Sequence, residues 1–119
     1  MSDPSYLIRL IQQARQKQVT VGKYTFVIRR PTVHEYLQYR TPDNKIFIPV
    51  EDLSKFVSDW SGVTGLDLAS SAGGDPVPFD SDLFMLWVVD HPDIWTALIN
   101  GILAAFNSYI AARDESSKN

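Results

Sequence analysis

The sequence predicts a mainly α fold: a small helical bundle with one N-terminal β-hairpin packed on it. Three observations predict it. Apolar residues recur at helical spacing through Ile94, Trp95, Leu98, Ile99, Ile102, Leu103, Phe106 and Ile110. Two alternating runs, Val19 to Val21 and Tyr24 to Ile28, flank Gly22-Lys23, a two-residue connection suited to a type II′ hairpin turn. Start and stop residues then divide the rest of the chain into short helical segments.

Asp3-Pro4 reads as an N-cap with proline at the first helical position, opening a helix at about 4–17. Leu7, Leu10, Ile11 and Ala14 mark one of its faces, and Gln and Arg fill the other. After the hairpin, Pro31 ends the strand and Thr32-Val-His-Glu35 has the form of a capping box. A helix over about 33–40 would present Val33, Tyr36 and Leu37. Thr41 to Asn44 is turn chemistry, and Ile46-Phe-Ile48 is either a short strand or an extended lead-in. A further helix is expected from Pro49 to Trp60, burying Leu53, Phe56, Val57 and Trp60, with Gly62 past its C-terminus. Residues 64–78 read as a mobile loop, because Ala69 to Asp75 contains no large apolar anchor. Phe79 re-enters the core, Asp80 or Ser81 caps, and Leu83, Phe84, Trp87 and Val88 form a face. The last helix is expected over about 92–112. The organisation is one domain over 1–112, with 113–119 as a polar tail.

Composition excludes several chemistries. No cysteine occurs in the 119 residues, so disulfides, thiolate zinc sites and cysteine nucleophiles are ruled out within them. The start, MSDPSYLIRL, lacks the basic and apolar regions of a secretory signal. The apolar stretch near Ile94 to Ile110 is interrupted by Thr96, Asn100, Gly101, Asn107 and Ser108, a mixture that argues against a membrane span. Charge is unevenly divided. Residues 1–45 hold eight Lys/Arg against three Asp/Glu, and residues 46–119 hold three against eleven. Either the halves neutralise each other within one molecule, or opposite ends of different copies attract.

No catalytic constellation is present. The serines lack a nucleophile-elbow context, and the glycines form no phosphate-binding loop. Asp90-His91-x-Asp93 has three oxygen or nitrogen donors, but its place at a helix start favours capping over metal ligation. We expect no enzyme, no metal and no cofactor. Arg29-Arg30 with Lys23, Tyr24 and Phe26 fits either a nucleic-acid ribbon or a solvated strand edge, and the acidic overall balance favours the edge. The expected partner surface is Trp95, Ile99, Ile102 and Phe106 on the last helix, with Arg29, Arg30 and Arg40 as a charged face. Trp60 and Phe79 are expected to pack at the loop base.

One series of motifs resembles a known family. Val27-Ile28-Arg29-Arg30-Pro31-Thr32 is followed by a segment ending in Trp60-Ser-Gly-Val63. A glycine-rich spacer, then Pro76-Val-Pro78-Phe79, an acidic helix start and a terminal amphipathic helix complete it. The pattern is similar to tail assembly chaperones of long-tailed, lambda-like bacteriophages. The resemblance implies a helical phage or prophage protein of the host bacterial cytoplasm, absent from the mature virion. It would bind the tape measure protein, keep it soluble and help recruit tail tube subunits. Such a role needs apolar surface and the ability to form a homo-oligomer. The rival readings are a structural tail component, such as a tail-completion or connector subunit, and a nucleic-acid-binding regulator.

Overall fold

A computed structural model describes residues 3–117. The predicted helical bundle is overturned: the fold is 53% helical and 18% strand, a mixed α/β arrangement around a three-stranded antiparallel sheet. The first helix, α1, spans Pro4–Ala14. The Asp3 carboxylate accepts a hydrogen bond from the Ser5 amide, and Pro4 opens the helix as expected. It ends three residues earlier than predicted. Gln16 already belongs to β1 (Gln16–Val21), which pairs with β2 (Tyr24–Arg29) from Gln16 opposite Arg29 to Val21 opposite Tyr24. Gly22 takes a left-handed φ of 59° at the hairpin tip.

Thr32 caps α2 (Val33–Gln38) through the reciprocal bonds of a capping box: the Glu35 amide donates to Thr32 Oγ1, and the Thr32 amide donates to Glu35 Oε1. The helix predicted over 49–60 is not formed. A 3₁₀ helix, Val50–Lys55, gives way to β3 (Val57–Ser61), which joins β2 as the third strand in the order β1-β2-β3. Leu53, Phe56, Val57 and Trp60 are nevertheless all buried.

A β-bulge accounts for that outcome. Phe26 pairs with Trp60 and Val27 with Asp59, but Ile28 pairs with Val57, leaving Ser58 as the extra residue. In a regular strand Val57 and Trp60 would point to opposite faces. The extra residue resets the alternation and turns both toward the core, so burial recurs at a spacing that imitates a helix.

The loop after β3 contains a one-turn helix, α3 (Gly65–Leu68), and closes on itself through a Thr64–Pro76 bridge and a Val77 amide bond to the Val63 carbonyl. The Asp80 carboxylate caps α4 (Ser81–Val88) by accepting from the Leu83 amide. The last helix, α5, runs over Pro92–Ser117, about 39 Å at the standard rise. Residues 113–117 of the expected tail therefore continue this helix, while 118–119 lie outside the described residues.

The core lies where α4 and α5 meet the sheet. Phe26 and Ile28 from β2, Val57 and Trp60 from β3, Phe84, Trp87 and Val88 from α4, and Leu98 and Ile102 from α5 form one cluster. Four aromatic rings interlock there, with Trp60 edge-on to Phe79, Phe84 and Trp87. The α carbons have a radius of gyration of 16.5 Å. A compact chain of this length would have about 13–14 Å. The excess reflects helical segments that extend beyond the packed body.

Candidate interaction surfaces

By length and composition α5 could cross a membrane, with a mean hydropathy of 1.4 over its most apolar window. The polar interruptions noted in the sequence do not exclude that. Packing is more informative: Ile94, Leu98, Ile102, Ala105 and Phe106 along one stripe are buried in the domain.

That stripe corrects the expected partner surface. Ile102 is fully buried, and Phe106 is 4% exposed and stacked on Tyr36 at 4.0 Å between ring centroids. Both positions hold the fold and are unavailable to a partner. The sheet packs against this side of α5, and Tyr36 of α2 covers Phe106. Trp95 and Ile99 are placed differently. With Leu103 they form a half-buried flank beside the core stripe, spaced one turn apart along the helix.

The three arginines do not form a common charged face. Arg29 makes a two-pronged ion pair with Glu35, at 2.8 and 2.9 Å, and lies over the Phe56 ring. Its guanidinium, with the Thr32 amide, lowers the Glu35 carboxyl to about 2 despite partial burial. Arg30 stacks on Tyr109 with its guanidinium carbon 3.5 Å from the ring centroid, and donates to the Pro31 carbonyl. Arg40 is exposed and makes no ion pair among the described residues. Lys23 is also engaged. It pairs with Asp67 at 2.8 Å, so two cations of the suspected nucleic-acid ribbon are already neutralised.

Asp67 ties the loop to the hairpin tip. It accepts from the Tyr24 hydroxyl at 2.9 Å and from the Thr64 amide and hydroxyl at 2.8 and 2.9 Å, besides the Lys23 ammonium. Led by Lys23, these donors hold its carboxyl well below the usual carboxylate range, and Asp67 in turn raises Lys23. The arrangement is structural: every oxygen is taken up in anchoring α3.

An open cleft of about 530 Å³ lies among Gln12, Arg15, Arg29, Glu35, Lys55 and neighbouring residues. Its one carboxylate is Glu35, already held by Arg29 and Thr32. His91 places Nδ1 2.7 Å from the Trp87 carbonyl, which can only accept, so this nitrogen carries the proton. That fixes the ring against the end of α4.

Two surfaces were not singled out from the sequence. The first is α1, no residue of which is buried. Tyr6, Leu7, Ile8, Leu10 and Ile11 are all between 41% and 54% exposed. At 100° per residue they cover more than half the circumference, a wider arc than one packing seam requires. That excess of apolar positions was the available signal. The second is the outer side of α4. Phe84, Trp87 and Val88 face the core, while Leu83, Leu86 and Val89 face away, Leu86 being 74% exposed. A helix apolar on every side is ordinarily enclosed, and this one has an uncovered side. No protein-family model, curated protein or solved structure matches this chain.

Proposed function

We propose that this chain is an assembly chaperone for a long helical protein, acting as the resemblance to phage tail assembly chaperones implies. The partner would be a tape measure protein, shielded in the host cytoplasm until tail tube subunits gather around it. The carrying observation is the flank of α5. Trp95, Ile99 and Leu103 repeat at one-turn spacing and remain half-buried beside a completed core stripe. An amphipathic helix recognises its partner through anchors at that spacing, packed ridge into groove.

Co-expression with coiled-coil fragments of a phage tape measure protein tests the reading. The wild-type chain should keep client fragments in the soluble fraction, and Ile99→Glu should lose that ability while remaining folded by circular dichroism, at a modestly lower melting temperature because Ile99 is half-buried. A client equally soluble with the variant, or insoluble with the wild type, removes the proposal. Recovery of the chain from purified virions would instead support a structural tail component.

A further inference from the structure

We propose that the cleft at the end of the sheet binds a phosphate dianion, carried by a small phosphate monoester or free in solution. The inference is independent of the client proposed above, since none of Trp95, Ile99 and Leu103 lines this cleft.

Main-chain bonds build the site. The chain passes from α1 almost directly into β1 at Arg15, whose carbonyl accepts the Arg30 amide at 2.8 Å. The Arg29 amide donates to the Phe56 carbonyl, also at 2.8 Å. These two bonds fix the start of β1, the end of β2 and the approach to β3 beside one another. Ser58, the extra residue of the bulge, lines the same cleft. Bulges commonly re-aim side chains beside functional sites. The volume of about 530 Å³ is that of a small-molecule site. A frame already fixed spares a ligand much of the ordering cost.

The charge of the lining calls for an anion. Arg15, Arg29 and Lys55 stand there against Glu35 alone. Arg29 and Glu35 neutralise each other in their two-pronged pair. Two positive charges are left, on Arg15 and Lys55. The Arg15 guanidinium is in no ion pair among the described residues, and its Nε is buried without an acceptor. An unmet buried donor on a charged group weakens the fold, so an oxyanion meeting this guanidinium supplies what the chain lacks. Lys55 is 58% exposed and only approaches Asp52, at 3.5 Å. Asp52 already accepts the Tyr39 hydroxyl at 2.7 Å. The Lys55 ammonium, with three donors, thus has capacity to spare.

The neutral groups of the cleft point to phosphate rather than carboxylate. Gln12, Gln16 and Ser54 add carboxamide and hydroxyl donors to the lining. A phosphate monoester carries nearly two negative charges at pH 7 and three strong acceptor oxygens. That provides one charge for each of Arg15 and Lys55, and oxygens enough for the neutral donors as well. A carboxylate has a single charge and would leave one cation unanswered. Arg15 would grip two oxygens with its planar fork, and Lys55 would act as a point charge on the third.

Amide NMR titration of the full chain, at constant ionic strength in phosphate-free buffer, tests the site. The probes are inorganic phosphate, glycerol phosphate, glycerol and a single-stranded thymidine oligonucleotide. Both phosphates should shift the amides of residues 12–16 and 54–58, which border the cleft, and glycerol should shift none. Tighter binding of glycerol phosphate than of inorganic phosphate makes the monoester the ligand, and equal binding makes it the free ion. Arg15→Gln and Lys55→Gln should each weaken binding at least about tenfold, the scale of one charge-assisted hydrogen bond. Lys55 is exposed, so its variant should stay folded even where Arg15→Gln does not. A wild type that shows no shifts overturns the proposal, as do shifts that instead follow exposed cations such as Arg9, Lys17 and Lys45. A Lys55→Gln protein that binds as wild type does also overturns it. An oligonucleotide that binds more tightly than either phosphate would place a nucleic acid there instead.

Discussion

The Trp60 indole donates its N–H to the Val77 carbonyl at 2.7 Å, fastening the far end of the glycine-rich loop to the end of β3. The same ring is 6% exposed and sits edge-on to Phe79 at 5.2 Å. One side chain therefore fills the core and closes the loop.

Trp60→Ala should destabilise the fold by ~3–5 kcal/mol, through lost burial and the cavity left behind. Trp60→Phe keeps most of the packing and loses the indole N–H, leaving a carbonyl short of a donor, a cost of about 1–3 kcal/mol. Urea unfolding of both variants gives the comparison. A Trp60→Phe protein as stable as wild type would show that the hydrogen bond contributes nothing separable.

Gly101 allows α5 to approach β1. A methyl group there would meet the Val19 side chain at 2.7 Å. Valine is stiff about χ1 and cannot easily turn aside. Gly101→Ala, which elsewhere in a helix would help, is expected to destabilise by about 1–3 kcal/mol through overpacking. Thermal unfolding reads the sign directly. A Val19→Ala, Gly101→Ala double variant should recover part of the loss.

Gly62 adopts a φ of 84°, and a side chain there would run into the Lys23 carbonyl. Gly62→Ala is therefore penalised twice, by backbone strain and by a collision with main chain that cannot rotate away. We expect a loss greater than that of Gly22→Ala, where the φ is also positive but nothing lies within 4 Å. Comparing the two melting temperatures checks the order.

Acid should weaken the fold in a defined window. Glu35 falls from an ordinary value of 4.5 to about 2 in the folded protein. A depressed carboxyl contributes stability that is complete above its unfolded pKa and disappears as pH falls through the folded one. The Arg29–Glu35 contribution should thus fade between about pH 4.5 and 2, and Asp67, shifted the same way, should add to the slope. Urea midpoints measured across that range should fall more steeply for wild type than for Glu35→Gln.

Local signals in the sequence were read correctly where the interaction itself is local. The Thr32–Glu35 capping box, the Asp3-Pro4 start and the Gly22 turn each depend on residues within a few positions of one another. The element type of residues 57–61 was not legible, because the Ser58 bulge gives a strand the burial spacing of a helix. The apolar period of α5 did not separate core positions from flanking ones. Trp95 and Ile99 flank the core stripe, but Ile102 and Phe106 lie within it.

The sequence by itself determined where helices begin, where the hairpin turns, which residues are apolar enough to bury, and that charge is divided between the two segments. Only the tertiary structure decided which apolar faces are consumed. The third strand lies against β2 through pairings 29 to 36 residues apart, and its arrangement with α4 and α5 seals one stripe of α5 while leaving α1 and the outer side of α4 uncovered. Periodicity reports that a face is greasy. Whether another element reaches that face depends on long-range strand pairing and register, which no short window of residues encodes.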